Sequence, residues 1–307
     1  MIFSITNVDN SFASSLDITY RGYGISIGNS KRINGVRFNF VDNRVERING
    51  CNFTFWKPKD NPDAVINGFT IGIIGPDAKE ITGFAFGGIG VAGEKITGVA
   101  FGTIGLAAET IDGVAIGGIG VASERIYGVG FGSVGLTSEK INGMGIGGIG
   151  IAGETVNGIS FGGIGLATER INGISLGGIG VASEKIEGIA IGGIGLAGES
   201  IKGIAFGGVG VASEEIKGIA IGGVGVGAEN IKGFTIGGMK LQSNNIKGLA
   251  IGGYCRVRTN LTGVSIGIFN QTRHLNGLQI GVLNYCRNNP KFLRLLPIIN
   301  VHIDRRR

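Results

Sequence analysis

Histidine, cysteine and proline are scarce in this sequence, which has two, three and five of them among 307 residues. Cys51, Cys255 and Cys286 are far apart, and an odd number of cysteines without a CxxC spacing indicates neither a disulfide framework nor a zinc site. A nucleophile pair such as His274 with Cys286 would need hydrogen-bond reach and an orienting third group, for which the sequence gives no sign. We therefore predict no catalytic, cofactor-binding or metal-binding residues.

Long apolar segments and a leader peptide are also missing. No run of eighteen uncharged apolar residues indicates a transmembrane helix. The opening Met1-Ile2-Phe3-Ser4 has neither the basic nor the apolar region of a signal peptide, so we expect that either the protein stays inside the cell or the chain begins after a removed or unrecorded leader. The 62 glycines occur without a Gly-X-Y period and with few prolines, which excludes collagen.

What the chain does have is a repeat of 15 residues, present in ten copies between residues 81 and 230. The copy from Ile186 to Ser200 shows the pattern. When its first isoleucine is numbered repeat position 1, large aliphatic residues occupy positions 1, 4, 6, 9 and 11. The two-residue spacing of positions 4 and 6, and of 9 and 11, is typical of β-strands.

A period of this length is sufficient for one coil of a β-solenoid, in which strands stack ~4.8 Å apart and equivalent side chains form ladders. We predict an all-β fold, a single elongated β-solenoid resembling a parallel β-helix, built from 15-residue coils. We expect positions 1, 4, 6, 9 and 11 to face inward as five aliphatic ladders. The small residues at positions 5 and 10, such as Ala190 and Gly195, are expected to face outward and form flat faces.

One alternative fold remains open at this point. Positions 3 to 12 carry no charge in any copy, and an uncharged span of about ten residues has the length of a transmembrane β-strand. An antiparallel transmembrane β-barrel would use one strand per copy. The inside–outside alternation breaks between positions 6 and 9, so that every such strand would need a bulge, which favours the solenoid.

The repeat weakens toward both ends and divides the chain into four regions. We predict an N-terminal cap with a first half-coil at 1–32, atypical coils at 33–65, regular coils at 66–245, and atypical C-terminal coils with a cap at 246–307. Terminal repeats differ in this way because one of their sides lacks a neighbouring coil. The net charge is +6 and its excess lies at the ends, in residues such as Arg37 and Arg258, where we expect it to keep the ends soluble.

An insertion at 56–65 interrupts the regular spacing and predicts a protruding loop. It contains the only tryptophan of the chain and two of its five prolines. Exposed aromatic and charged side chains on a loop are frequent in binding sites. The candidate interaction residues of this loop are Trp56, Lys57, Lys59 and Asp60.

Three asparagines near the C-terminus, Asn270, Asn284 and Asn300, occupy equivalent positions in neighbouring segments. Stacked asparagines can form a hydrogen-bonded ladder along the axis of a solenoid. Asparagine also suits turns, so the pattern supports a ladder and a series of turns equally.

The segments Gly263–Asn270 and Gly277–Asn284 and the ending Leu296–His302 resemble a bacterial family of surface repeat-containing proteins of unknown function. The segments Gly22–Gly28 and Phe55–Pro58 are similar to the N-terminal part of the same family. The likeness covers most of the chain, although the middle coils carry glycine where the family often has asparagine. It implies a protein of the cell surface, the extracellular space or the outer membrane, with no known activity.

These observations predict a non-enzymatic structural or interaction protein of the bacterial cell surface, acting as a scaffold or in adhesion. The alternative is an outer-membrane β-barrel or another membrane-associated protein. We expect a protein or surface partner, no cofactor and no nucleic acid. Membrane association and self-association through the flat Ala/Gly faces are both compatible with the sequence.

Overall fold

The computed structural model describes residues 2–5 and 15–303. The chain divides into two compact units, Met1–Gly153 and Glu154–Arg307. Within each unit successive strands pair in parallel at a spacing of 15 residues, as Gly105 with Gly120 and Gly195 with Gly210 show. This arrangement confirms the predicted β-solenoid and excludes the antiparallel pairing of repeats that the alternative fold requires. Among the described residues, the structure contains no helix with the length and apolarity needed to span a membrane.

Unit 1 begins with antiparallel strands and continues as parallel coils. Strand β2 pairs antiparallel with β1 and with β3, whereas β3 and β4 begin the parallel series. The strands of this unit are β1 (Ile2–Ile5), β2 (Ser15–Tyr20), β3 (Tyr23–Gly28), β4 (Arg32–Asn39), β5 (Arg47–Thr54), β6 (Val65–Gly72), β7 (Asp77–Gly87), β8 (Gly90–Gly102), β9 (Gly105–Gly117), β10 (Gly120–Gly132), β11 (Gly135–Gly147) and the start of β12 (Gly150–Gly162).

Unit 2 contains the parallel series from β13 to β18 and ends with a reversed strand. A short 3-10 helix, Lys291–Leu293, precedes β19, which runs antiparallel to β18. The strands of this unit, after the end of β12, are β13 (Gly165–Gly177), β14 (Gly180–Gly192), β15 (Gly195–Gly207), β16 (Gly210–Gly222), β17 (Gly225–Ile266), β18 (Phe269–Cys286) and β19 (Leu295–His302).

Three breaks in the extended backbone divide each regular coil into three segments. The glycine at position 3 has a positive φ, which is +131° at Gly203. Positions 8 and 9 form a bend between strands, as at Gly208 and Val209. The ladder of paired residues omits position 14, so that Glu199 has no partner in the register between β14 and β15 or between β15 and β16. The segments are therefore positions 4–7, 10–13 and 15–2.

The core of each coil is narrow and is filled by few side chains. In the coil that begins at Ile201, the buried side chains include Ile201 at position 1, Ala205 at position 5 and Val211 at position 11. The same positions recur one coil away, so each buried side chain packs mainly against its equivalents in neighbouring coils. A single coil cannot cover its own apolar side chains, and stability therefore depends on stacking.

The prediction of which side chains face the core is wrong at several repeat positions. Position 5 was expected to face outward, but Ala190 is fully buried. Positions 4, 6 and 9 were expected to face inward, yet Ile191 and Ile194 are exposed, Ile194 by 53%, and Ile189 is only half-buried. Alternate residues of a strand point to opposite sides, so burying position 5 places positions 4 and 6 outside. The narrow interior accommodates the large side chains of positions 1 and 11, but not five of them per coil.

Candidate functional site: the outward surfaces

Each regular coil presents a chemically different surface on each of its three segments. Positions 4 and 6 form the aliphatic surface, with Ile204 and Phe206 as examples. Positions 10 and 12 form the alanine surface, which contains Ala197. Positions 14, 15 and 2 form the charged surface, which contains Glu199 and Lys202. Because neighbouring coils keep the same register, each of these surfaces continues from coil to coil within a unit.

The aliphatic surface of unit 1 is rich in stacked aromatic rings. Phe69 and Phe84 at position 4 have ring centroids 4.9 Å apart, and their planes differ by 10°. Phe86 and Phe101 at position 6 stack at 5.5 Å. These distances are close to the ~4.8 Å spacing of strands, so the stacking follows directly from the parallel register.

The aliphatic surface of unit 2 is formed by two rows of large apolar side chains on nine consecutive coils. With strands ~4.8 Å apart, the two rows cover on the order of 400 Å², a size at which apolar patches are often functional. Position 4 contributes Ile159, Ile174, Ile189, Ile204, Ile219, Phe234, Leu249, Val264 and Leu278, and position 6 contributes Phe161, Leu176, Ile191, Phe206, Ile221, Ile236, Ile251, Ile266 and Ile280.

A groove of about 650 Å³ lies beside the alanine surface of unit 1. One wall is the exposed row at position 9, including Ile89, Ile104 and Ile119, and glycines of position 10 line the groove beside it. Lys57 and Pro58 of the inserted loop also line the groove. The insertion thus places a positive charge beside a largely apolar channel, which Asp77 and Thr137 also line.

The four candidate residues of the inserted loop lie in different surroundings. Trp56 is exposed and stacks on Phe40, with ring centroids 6.3 Å apart. Lys57 borders the apolar groove, whereas Lys59 and Asp60 line a separate, more polar cavity. The structure therefore does not bring all four side chains together at one site.

The three C-terminal asparagines are buried and lie close to one another, in a pattern that differs from a simple ladder. The Nδ2 of Asn270 donates to Oδ1 of Asn284 at 2.8 Å, across neighbouring coils. The Nδ2 of Asn300 instead donates to the backbone oxygen of Asn284 at 3.1 Å, and its Oδ1 accepts from Asn289 at 2.7 Å. The difference arises because Asn300 belongs to the reversed strand β19 rather than to a further parallel coil.

A buried polar network at the start of unit 1 was not predicted from the sequence. Arg37, expected at a solvated end, is fully buried at position 5 of its coil. Its Nη1 donates to Asp42 Oδ1 at 2.7 Å and to Asn52 Oδ1 at 3.0 Å, and its Nη2 donates to Asn29 Oδ1 at 2.7 Å. Burial lowers the pKa of Arg37, and the charge of Asp42 opposes that shift. The signal in the sequence is its repeat position, which is buried in the other coils.

The cysteines and histidines have separate surroundings. Cys255 and Cys286 are buried in unit 2, and desolvation raises the pKa of Cys255 to about 12 and also raises that of Cys286. The Sγ of Cys286 donates to Asn288 Oδ1 at 2.8 Å, whereas exposed His274 pairs with Asn260 of the neighbouring strand. No group of three or more His, Cys, Asp or Glu within residues 2–5 and 15–303 is arranged to hold a metal ion.

Part of the charged surface forms ion pairs between neighbouring side chains. Lys202 Nζ lies 2.9 Å from Glu187 Oε1, and Lys217 Nζ lies 2.9 Å from Glu215 Oε2. Hydrogen bonds from these lysines lower the pKa of both carboxyl groups. Such exposed pairs contribute little to stability, since water screens them. The copies between residues 81 and 230 contain 13 Asp and Glu but only seven Lys and Arg, so the charged surface is negative overall.

Comparison with known proteins adds no assignment to these surfaces. No protein-family model, curated protein or solved structure matches the chain. Function must therefore be inferred from the surfaces themselves. Of the three, the aliphatic surface differs most from an ordinary protein exterior, because its large apolar side chains are continuous rather than scattered.

Proposed function

We propose that this protein is a non-enzymatic scaffold of the bacterial cell surface that self-associates through its aliphatic surface. The observation that carries the proposal is the outward direction of positions 4 and 6, which leaves large apolar side chains exposed or half-buried on every coil of unit 2 from Ile159 to Ile280. The likeness of the terminal segments to surface repeat-containing proteins supports the location.

A second copy of the chain is the occupant that fits this surface best. Its rows of side chains have the same spacing, so that the side chains of one copy can interdigitate with those of the other. Sheets that pack face to face lie ~10 Å apart and are joined by such apolar side chains. Positions 4 and 6 carry no charge in the regular copies, so no like charges meet when two of these surfaces come together.

This contact differs from the self-association expected from the sequence, which used flat faces of small residues. Position 5 cannot contribute to such a face, since it is buried. The alanine surface is exposed but offers little apolar area per residue. Burial of apolar area is the main source of free energy in association, which favours the aliphatic surface.

The test compares two triple variants that have the same charge. Ile189→Lys, Ile204→Lys and Ile219→Lys place three charges on the aliphatic surface of unit 2. Ala182→Lys, Ala197→Lys and Ala212→Lys place three charges on its alanine surface, where the wild-type side chains are exposed. Sedimentation velocity at increasing protein concentration measures the oligomeric state of both variants and of the wild type, and circular dichroism verifies that all three are folded.

We expect the wild type and the alanine-surface variant to form dimers or larger oligomers, and the aliphatic-surface variant to be monomeric. A wild-type protein that stays monomeric, or two variants that dissociate equally, would refute the proposal. Flotation with neutral phosphatidylcholine vesicles provides a further readout. If monomeric wild type floated with them and the aliphatic-surface variant did not, this surface would bind lipid instead of a second copy.

A further inference from the structure

The last coils of unit 2 present arginines where the regular coils present alanines. In the regular coils the buried residue of the second segment is the aliphatic residue at position 11. In the last three coils, from Ile246 onward, the residue at position 10 is buried instead, and it is Cys255, Asn270 or Asn284. This shift moves positions 11 and 13 to the outside. They carry four arginines on three coils, which we name the arginine cluster: Arg256, Arg258, Arg273 and Arg287.

The register places these four side chains close together. Arg256 pairs with Gln271 of the next coil, and the ladder slips between Val257 and Asn260, which leaves Arg258 beside this irregularity. The amide of Arg287 donates to the backbone oxygen of Thr272 at 3.1 Å, directly before Arg273. The arginine cluster lines a cleft of about 760 Å³ together with Asn244, Asn245, Gln271 and Tyr285.

Within residues 230–303 of the described chain, no acidic side chain balances this positive charge. Residues 230–303 contain nine Lys and Arg and no Asp or Glu. All four guanidinium groups are exposed, and none forms an ion pair with another residue of the described chain. The regular coils behave differently, because Lys202 and Lys217 have glutamate partners there. The arginine cluster is therefore a local excess of positive charge, with three members on strands and Arg287 directly after β18.

Protection of an open sheet edge does not explain the cluster. Charged residues often protect unpaired edge strands. Here Arg256 and Arg258 lie in β17, which pairs with β18. The amides of Arg287 and Asn288 donate to the backbone oxygens of Thr272 and Arg273. Three of the four arginines therefore have a following segment beside them.

We propose that the arginine cluster binds a phosphate-bearing ligand. Guanidinium groups bind phosphate oxygens by paired, charge-assisted hydrogen bonds, and the side-chain amides of Asn244 and Gln271 add neutral donors to the cleft. The cleft falls within the ~300–1,000 Å³ typical of small-molecule sites, which is larger than one phosphate group needs. A diphosphate, or a phosphorylated head group of a lipid, has the matching charge and size.

The test uses the full chain and two charge-matched double variants. Arg258→Gln with Arg273→Gln removes two charges from the cluster, and Lys217→Gln with Lys232→Gln removes two from the charged surface of the same unit. Calorimetric titration with inorganic pyrophosphate measures binding of soluble phosphate. Flotation with vesicles containing phosphatidic acid measures binding of a lipid phosphate, and vesicles containing phosphatidylcholine alone are the control.

We expect saturable binding by the wild type and the lysine variant in at least one of the two assays, and a loss of roughly tenfold or more in the arginine variant. Binding of pyrophosphate alone identifies a soluble ligand, and binding of phosphatidic acid vesicles alone identifies a lipid. The absence of both, or an equal loss in both variants, overturns the proposal. Tighter binding of a single-stranded oligonucleotide, with a steep salt dependence, would also overturn it by indicating a nucleic-acid surface. Sedimentation of the arginine variant should match the wild type, which separates this outcome from the aliphatic contact.

Discussion

Gly203 lies against the backbone of Gly188 in the preceding coil, so closely that a methyl group on its Cα would lie 2.1 Å from the carbonyl oxygen of Gly188. The same residue has a φ of +131°, which side chains other than glycine rarely adopt. Both constraints recur at position 3 in neighbouring coils, because the break in each coil must stack on the break of the next. Glycine at this position is therefore a requirement of stacking.

Gly203→Ala should destabilise the protein far more than Gly227→Ala. At Gly203 the added methyl group meets a backbone oxygen at 2.1 Å, and neither coil can move without disturbing the next. At Gly227, on the alanine surface, a methyl group has nothing within 4 Å. We expect a loss of about 2 kcal/mol or more for the first and a change within ~0.5 kcal/mol or a slight gain for the second, measured by urea unfolding. Equal losses would contradict the proposed stacking of position 3.

Ile201→Ala and Ile204→Ala test which side chains form the core. Ile201 at position 1 is 0% exposed, whereas Ile204 at position 4 is 40% exposed. Truncation of a buried isoleucine costs ~2–5 kcal/mol, and truncation of an exposed one costs well under half of that. Unfolding in denaturant compares the two variants under the same conditions. A larger loss of unfolding free energy for Ile204→Ala than for Ile201→Ala would indicate that position 4 faces the core, as the sequence suggested.

Arg37→Met should destabilise unit 1 because it leaves Asp42 buried without its charged partner. Breaking a buried ion pair from one side costs ~3–5 kcal/mol. The double variant Arg37→Met with Asp42→Asn removes both charges and should recover a substantial part of this loss. Thermal unfolding of the wild type and both variants provides the comparison. If the double variant were less stable than Arg37→Met, the two charges would not act as a pair.

Cys255 should make stability depend on pH in alkaline solution. Its pKa is about 12 in the folded protein, compared with an ordinary value of 9.0. Between pH 9.0 and about 12, the thiol loses its proton in the unfolded chain and keeps it in the folded protein. The contribution of Cys255 to the free energy of unfolding is therefore complete below pH 9.0 and decreases as the pH rises toward about 12. Urea unfolding of the wild type and Cys255→Ala should give a stability difference that is constant near neutral pH and shrinks above pH 9.0, by at most ~1.4 kcal/mol per pH unit. A difference that stays constant throughout would argue against a buried thiol.

The stacked fold could be predicted because the repeat encodes it directly. A constant period of 15 residues keeps equivalent side chains adjacent in a parallel register, and glycine marks the breaks. Which side chains of each strand face the core could not be predicted in the same way. Positions 4, 5 and 6 read as large, small and large, and size alone suggests that Ile189 and Ile191 form the core, whereas the structure buries Ala190 between them.

The candidate binding residues were harder to recognise than the fold. The charges of Arg37 and Arg258 look alike in the sequence, since both belong to atypical terminal coils. The two can be told apart only when it is known which repeat positions face the core. Arg37 lies at position 5, which is buried, whereas a shift in the C-terminal coils exposes the position of Arg258. A register shift of one residue reverses the side of every residue that follows it in a strand.

The reversal of the chain at β19 determines where growth of unit 2 stops. A parallel strand with free backbone groups is a template on which further strands can add, as in amyloid fibrils. The part of β18 from Gly277 to Tyr285 pairs with β19, which runs in the opposite direction and includes Pro297, a residue without an amide donor. Nothing in the 15-residue repeat limits the number of parallel strands that can stack. The few residues of reversed strand therefore oppose the addition of further chains at this end.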